Sequence, residues 1–140
     1  MQKRIMLDSM IFRNRPFLSW LRVNLERFRI YISPIVHAET ALWYLYIGLD
    51  LEDLASDLRA LRAEIPPITR EITEKVAERA FTNRRALPFR HHARDYLIGA
   101  QAEHLGTWIV TYNKRHFAWV NVPVLTPEEL IKRFRGPSAD

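Results

Sequence analysis

Three short apolar runs, separated by stretches of helical periodicity, constrain this chain more than any other feature. Arg4 to Leu7 (RIML), Phe28 to Ile32 (FRIYI) and Thr107 to Thr111 (TWIVT) have strand length and carry β-branched and aromatic residues. No Asn-Gly, Asp-Gly or Gly-Gly pair stands in the chain to turn one run directly back on the next. Strands that cannot pair as hairpins need crossover connections, which helices provide. The expected fold is therefore α/β, with a mostly parallel central sheet of four or five strands covered by helices. Val122 to Leu125 is the candidate for a short last strand.

The helices are bounded by their caps. Ser33 is placed as an N-cap with Pro34 at the first helical position, opening a helix that runs to about Ile47 and ends at Gly48. A second starts near Asp50 and sets Leu51, Leu54, Ala55, Leu58 and Leu61 on one buried face. Pro66 and Pro67 break it. A third, from about Thr69 to Ala86, turns Ile72, Val76, Ala80 and either Phe81 or Ala77 inward, with Glu71 and Lys75 four apart on its outer face. The segment His91 to Leu105 is apolar over much of its circumference and ends at Gly106, which predicts a central helix. Thr126-Pro127-Glu128-Glu129 has the capping-box pattern of a closing helix that reaches about Phe134. Residues 1–140 read as a single domain, and Gly136 to Asp140 are expected to fray.

Composition excludes several classes. With no cysteine there is no disulfide framework, thiolate zinc site or catalytic thiol, and the reducing cytoplasm is the expected compartment. The most apolar stretch, Ile30 to Leu49, contains Pro34, His37 and Glu39 and does not read as a membrane span; the opening residues, interrupted by Asp8 and Arg13, do not read as a secretory signal. Only four glycines are present, none in a dinucleotide or P-loop pattern. A net charge of +5 favours a polyanionic partner.

The candidate chemistry lies in three acids. Asp8 ends the first strand, where open parallel sheets gather ligands, and it equally suits the cap of a following helix. Glu39 has Ile35, Val36, Leu42 and Trp43 as its helical neighbours, so it must be neutral, paired with an arginine or bound to a metal. Asp95 stands in the first turn or so of the central helix, where interaction with the helix N-terminus is its alternative role. Thr111 and Asn113 end the later strand and offer oxygens beside Asp8 if the two strands are neighbours. Three carboxylates in one crevice repel unless positive charge is supplied, and hard oxygen donors select Mg2+ or Mn2+; phosphodiester hydrolysis is the matching reaction class. His91 and His92 point about 100° apart on a helix, so only one can join Asp95. The basic pairs are mostly a solvated face, with Lys114 and Arg115 the best candidates for RNA phosphates at the rim of the crevice. Trp43, Tyr44, Tyr46 and Trp119 are expected in the core or a dimer contact.

In order and spacing, LDS at Leu7 to Ser9, SPIVHAE ending at Glu39, RDYLIGAQA around Asp95 and TYNKRHF at Thr111 to Phe117 resemble the PIN domain family, and within it the VapC-type toxins. PPITREITEKVAERA and VPVLTPEEL add to the likeness, which spans nearly the whole chain. The resemblance implies a three-layer α/β/α sandwich and a Mg2+- or Mn2+-dependent ribonuclease toxin. It further implies a homodimer whose cognate antitoxin protein blocks or fills the site. Asp8, Glu39 and Asp95 match the family's metal-binding acids, with Asn113 as the fourth catalytic position and Ser9 and Thr111 auxiliary. The chain departs from the pattern at that fourth position, where Asn113 and His116 stand in place of a further acid, which argues against a tightly held second metal. The alternative function is a non-catalytic PIN-like module that binds RNA or protein through a degenerate metal site.

Overall fold

The computed structural model describes residues 2–135; the expected fraying of 136–140 lies outside them. Four strands, β1 (Lys3–Leu7), β2 (Phe28–Tyr31), β3 (Trp108–Val110) and β4 (Val124–Leu125), form one parallel sheet in the order β2-β1-β3-β4. β1 is interior, pairing Ile5 with Ile30 on one side and Trp108 on the other. Its Ile5, Met6 and Leu7 are fully buried, which is why this strand reads as a continuous apolar run rather than an alternating one.

Among the described residues six helices connect and flank the strands: α1 (Arg15–Val23), α2 (Pro34–Tyr46), α3 (Leu51–Ala60), α4 (Arg70–Thr82), α5 (Phe89–Leu105) and α6 (Pro127–Arg133). The chain moves from β1 outward to β2 through α1, then back across β1 to β3 through α2 to α5. Right-handed crossovers in opposite directions place α1 and the longer helical set on opposite faces of the sheet, giving three layers. An aromatic stripe of Phe17, Trp20, Phe28 and Phe134 ties α1, β2 and the end of α6 together.

The caps fall where the sequence sets them. Gly48 and Gly106 adopt positive φ (89° and 68°) after α2 and α5, Asp50 and Asp53 form a capping box, and so do Thr126 and Glu129. Three details differ from expectation. α1 has no counterpart in the sequence reading, although Asn14 caps the Phe17 N–H at 3.1 Å and Phe17, Leu18 and Leu21 are buried. Leu51 is 56% exposed because it is the first residue of α3, and side chains lean toward the N-terminal end, past the packing contact. In α4 neither Phe81 nor Ala77 is inward: the buried residues are the narrow row Ile72, Val76 and Ala80, and Asn83 ends the helix four residues before Leu87, whose backbone Pro88 restricts.

Candidate active site

The strand order reverses between β1 and β3, so the carboxyl ends of these strands open the crevice in which an α/β sheet holds ligands. Asp8 follows β1 directly. Its N–H continues the ladder to Val110 O at 3.0 Å, and its side chain is 1% exposed. One carboxylate oxygen accepts from the Ser9 N–H at 2.7 Å, so Asp8 also caps the 3-10 turn Ser9–Arg13. The other accepts from Thr111 Oγ1 at 2.8 Å. Thr111, fully buried, in turn accepts the Asn113 N–H at 3.0 Å. Neighbouring strands therefore fix Asp8 in a single orientation.

Glu39 comes from the inward row of α2 beside Val36 and Thr40. Asp95 comes from α5, in the first regular turn after a break at His92 (φ −131°, ψ 15°). The group that joins these acids is the Arg94 guanidinium. Its Nε donates to Glu39 Oε2 at 2.5 Å and its Nη1 to Asp95 Oδ1 at 3.0 Å, while its Nη2 donates to Asp8 Oδ1 and reaches Ser9 Oγ at 3.1 Å. Burial works against the charged guanidinium, but the hydrogen bond to Glu39 and the charge of Asp8 outweigh it and hold the pKa above the usual arginine value. Glu39 Oε1 is buried with no hydrogen-bond partner.

Asp95 has a second set of neighbours on its free side. His116 Nδ1 lies 3.3 Å and His92 Nδ1 3.9 Å from Oδ2, with the two rings edge to face. Gly99 makes this approach possible. A Cβ there would come within 2.6 Å of the Trp119 ring, so only glycine lets the segment after β3 press against α5 and bring His116 to Asp95. His91 is exposed, so one of the two adjacent histidines faces the acid, as helix geometry requires.

The other expected site residues sit further out. Asn113 is exposed and engages the site through its backbone N–H, and its side chain meets none of the acids among the described residues. Lys114 binds Glu129 at 2.9 Å and Arg115 is exposed, so the rim carries one paired and one exposed cation. Of the aromatics, Tyr44 is in the core, where burial and its hydrogen bond to Asp57 push its pKa up to about 12. Trp43 and Trp119 are half-buried, and Tyr46 is exposed. Arg94 is the functional residue that sequence reasoning missed. The signal was present, because an arginine partner was one of the three states open to Glu39, beside a neutral carboxyl and a bound metal, but nothing in the sequence chooses among this chain's many arginines.

Chemically, three carboxylates surround one centre that a cation must neutralise. Their hard oxygens, with the unpartnered Glu39 Oε1, suit Mg2+ or Mn2+ by donor type. Among the described residues no three acid or histidine side chains stand close enough to hold an ion as they are, since the guanidinium spaces them apart.

A family model described as "PIN domain" matches residues 6–122. No curated protein matches the chain significantly by sequence. Among solved structures, VapBC2 from Rickettsia felis bound to a promoter DNA fragment aligns at 21% identity and TM-score 0.64, covering 87% of this chain and 96% of that one. VapBC-1 from nontypeable Haemophilus influenzae aligns at 19% identity and TM-score 0.65, covering 89% and 98%. FitAcB from Neisseria gonorrhoeae aligns at 22% identity and TM-score 0.65, also covering 89% and 98%. At these identities the likeness is one of fold.

Proposed function

The chain belongs to the PIN domain family, and from that premise we propose that it is a VapC-like toxin, an endoribonuclease that hydrolyses RNA phosphodiester bonds with Mg2+ or Mn2+. The observation that carries this reading is the meeting of Asp8, Glu39 and Asp95, from three distant parts of the chain, around the single guanidinium of Arg94 at the mouth of the sheet. These three acids would hold the divalent cation. When bound, it would supply Lewis-acid polarisation and offset charge developing on the phosphodiester. The chain's own contribution is orientation: Thr111 fixes one oxygen of Asp8, the Ser9 N–H fixes the other, and His116 packs against Asp95. Asn113 lies at the crevice rim as the fourth catalytic position, with Lys114 and Arg115 beside it to meet RNA phosphates.

The likeness to VapBC toxin–antitoxin complexes supports a cognate antitoxin as partner. Exposed apolar residues at the α2–α3 corner, Leu45, Tyr46, Ile47 and Leu49, support a protein contact there, which we assign to the homodimer. The cysteine-free sequence supports a cytoplasmic setting. Among the described residues no helix is long and apolar enough to cross a membrane.

The test is cleavage of a mixed structured and single-stranded RNA pool by purified protein with manganese, magnesium or chelator, beside Asp8→Asn. Metal-dependent cleavage reduced more than about 100-fold in Asp8→Asn, with folding intact, is expected. Full activity in the variant would remove Asp8 from the site. The seating of Arg94 among the acids favours one second reading, a non-catalytic RNA- or protein-binding PIN module. Calorimetry separates the two, because such a module binds RNA equally with and without manganese and yields no product.

A further inference from the structure

Arg94 takes up the centre on which the three acids converge. An arginine has five N–H donors in a rigid fork, and here the fork spreads over Asp8, Ser9, Glu39 and Asp95. The pairing is incomplete in two respects. Arg94 sets one positive charge against three carboxylates, which with His116 and His92 in their neutral forms leaves the cluster two negative charges in excess, and Glu39 Oε1 is buried without a partner. A divalent cation would meet both deficits, yet it cannot share this centre with a guanidinium. The arginine can leave, since its side chain is long, unbranched and 30% exposed.

We propose that Arg94 is an internal counter-ion that competes with the divalent cation for Asp8, Glu39 and Asp95, so that metal binding requires its displacement and is weakened by its presence. This inference rests on the nuclease reading of the site and adds its regulation. Without metal, Arg94 offsets the repulsion among the acids and itself fills the centre on which they converge. With metal, apparent affinity is the intrinsic affinity scaled by the fraction of molecules whose arginine has swung out. Half-saturation of the site is thereby moved to a higher concentration of free Mg2+ or Mn2+.

The experiment uses the full chain, stripped of metal, as wild type, Arg94→Gln and Arg94→Lys. Manganese binding is read by titration calorimetry and by the paramagnetic resonance signal of free Mn2+, and thermal unfolding is followed with chelator and with manganese. Arg94→Gln is expected to bind Mn2+ at least about 10-fold more tightly than wild type. Its Tm in chelator should be lower, and manganese should raise that Tm by more than it does in wild type. Arg94→Lys, which keeps a cation but loses the fork, should fall between the two. Equal or weaker binding in Arg94→Gln, with wild type binding normally, overturns the competition while leaving the metal site standing. Absence of Mn2+ binding in both folded proteins defeats the nuclease reading and makes Arg94 a permanent ion pair, which overturns the proposal as well. Should Arg94→Gln fail to fold, a Mg2+ titration of wild type followed by the Arg94 Nε–H resonance decides the matter. A resonance that shifts and loses exchange protection on saturation supports displacement, and one that stays unchanged overturns it.

Discussion

Two ionic clusters sit on the same helix, α5, and they are built on opposite plans. Near its carboxyl end Glu103, 5% exposed, is met by Arg79 through two bonds of 3.0 Å, by Lys75 at 3.6 Å and by the Asn121 N–H at 2.8 Å. One acid there has two cations and a backbone donor, and both of its oxygens are engaged. Near the amino end the ratio is inverted, with one arginine among three acids and a buried oxygen left over. The first cluster is complete in itself and ties α4, α5 and the segment before β4 together. The second is electrostatically unfinished, and clusters of that kind concentrate at functional sites.

The comparison can be broken from the Glu103 side first. Glu103→Ala is expected to lower unfolding free energy by about 2 kcal/mol, below the value for a fully buried pair because Lys75 and Arg79 keep roughly a third of their side chains in water. Manganese affinity should not change. Chemical denaturation with calorimetry checks both, and a change in metal binding would mean that the two clusters communicate along α5.

Thr111→Val sharpens the contrast from the other side. It removes the hydroxyl that donates to Asp8 and accepts from Asn113, so about 1 kcal/mol of stability should be lost. Cation affinity should weaken by about 10-fold, the usual consequence of releasing a ligand from its orienting partner. Unchanged affinity would show that the Ser9 N–H orients Asp8 unaided. Asn113→Ala is the smallest step, with a stability change within about 0.5 kcal/mol, because its side chain is exposed. If its RNA cleavage nonetheless falls as far as that of Asp8→Asn, the Asn113 side chain enters the site in the bound state.

Much of this was legible in the sequence because it is local. A buried central strand must be apolar on both faces, and Ile5 to Leu7 is; Gly48 and Gly106 end helices because only glycine adopts their positive φ without strain. The same locality let Glu39 be singled out, since its helical neighbours alone show that the acid points inward. α1 went unread although Phe17, Leu18 and Leu21 give it a clear apolar face, because it is only nine residues long and its Asn14 cap has meaning only once the helix is known.

What the sequence by itself determined is therefore the class of fold, the sites of the caps and the three acids that lie at element ends or on inward faces, each a property of a few neighbouring residues. What only the tertiary structure decided is how those acids are neutralised and who stands beside them. Arg94 adjoins Asp95 in the chain but lies 55 residues from Glu39 and 86 from Asp8, and His116 reaches Asp95 because a glycine on α5 admits Trp119. Coulomb interactions depend on separation in space, and periodicity along the chain does not carry that separation.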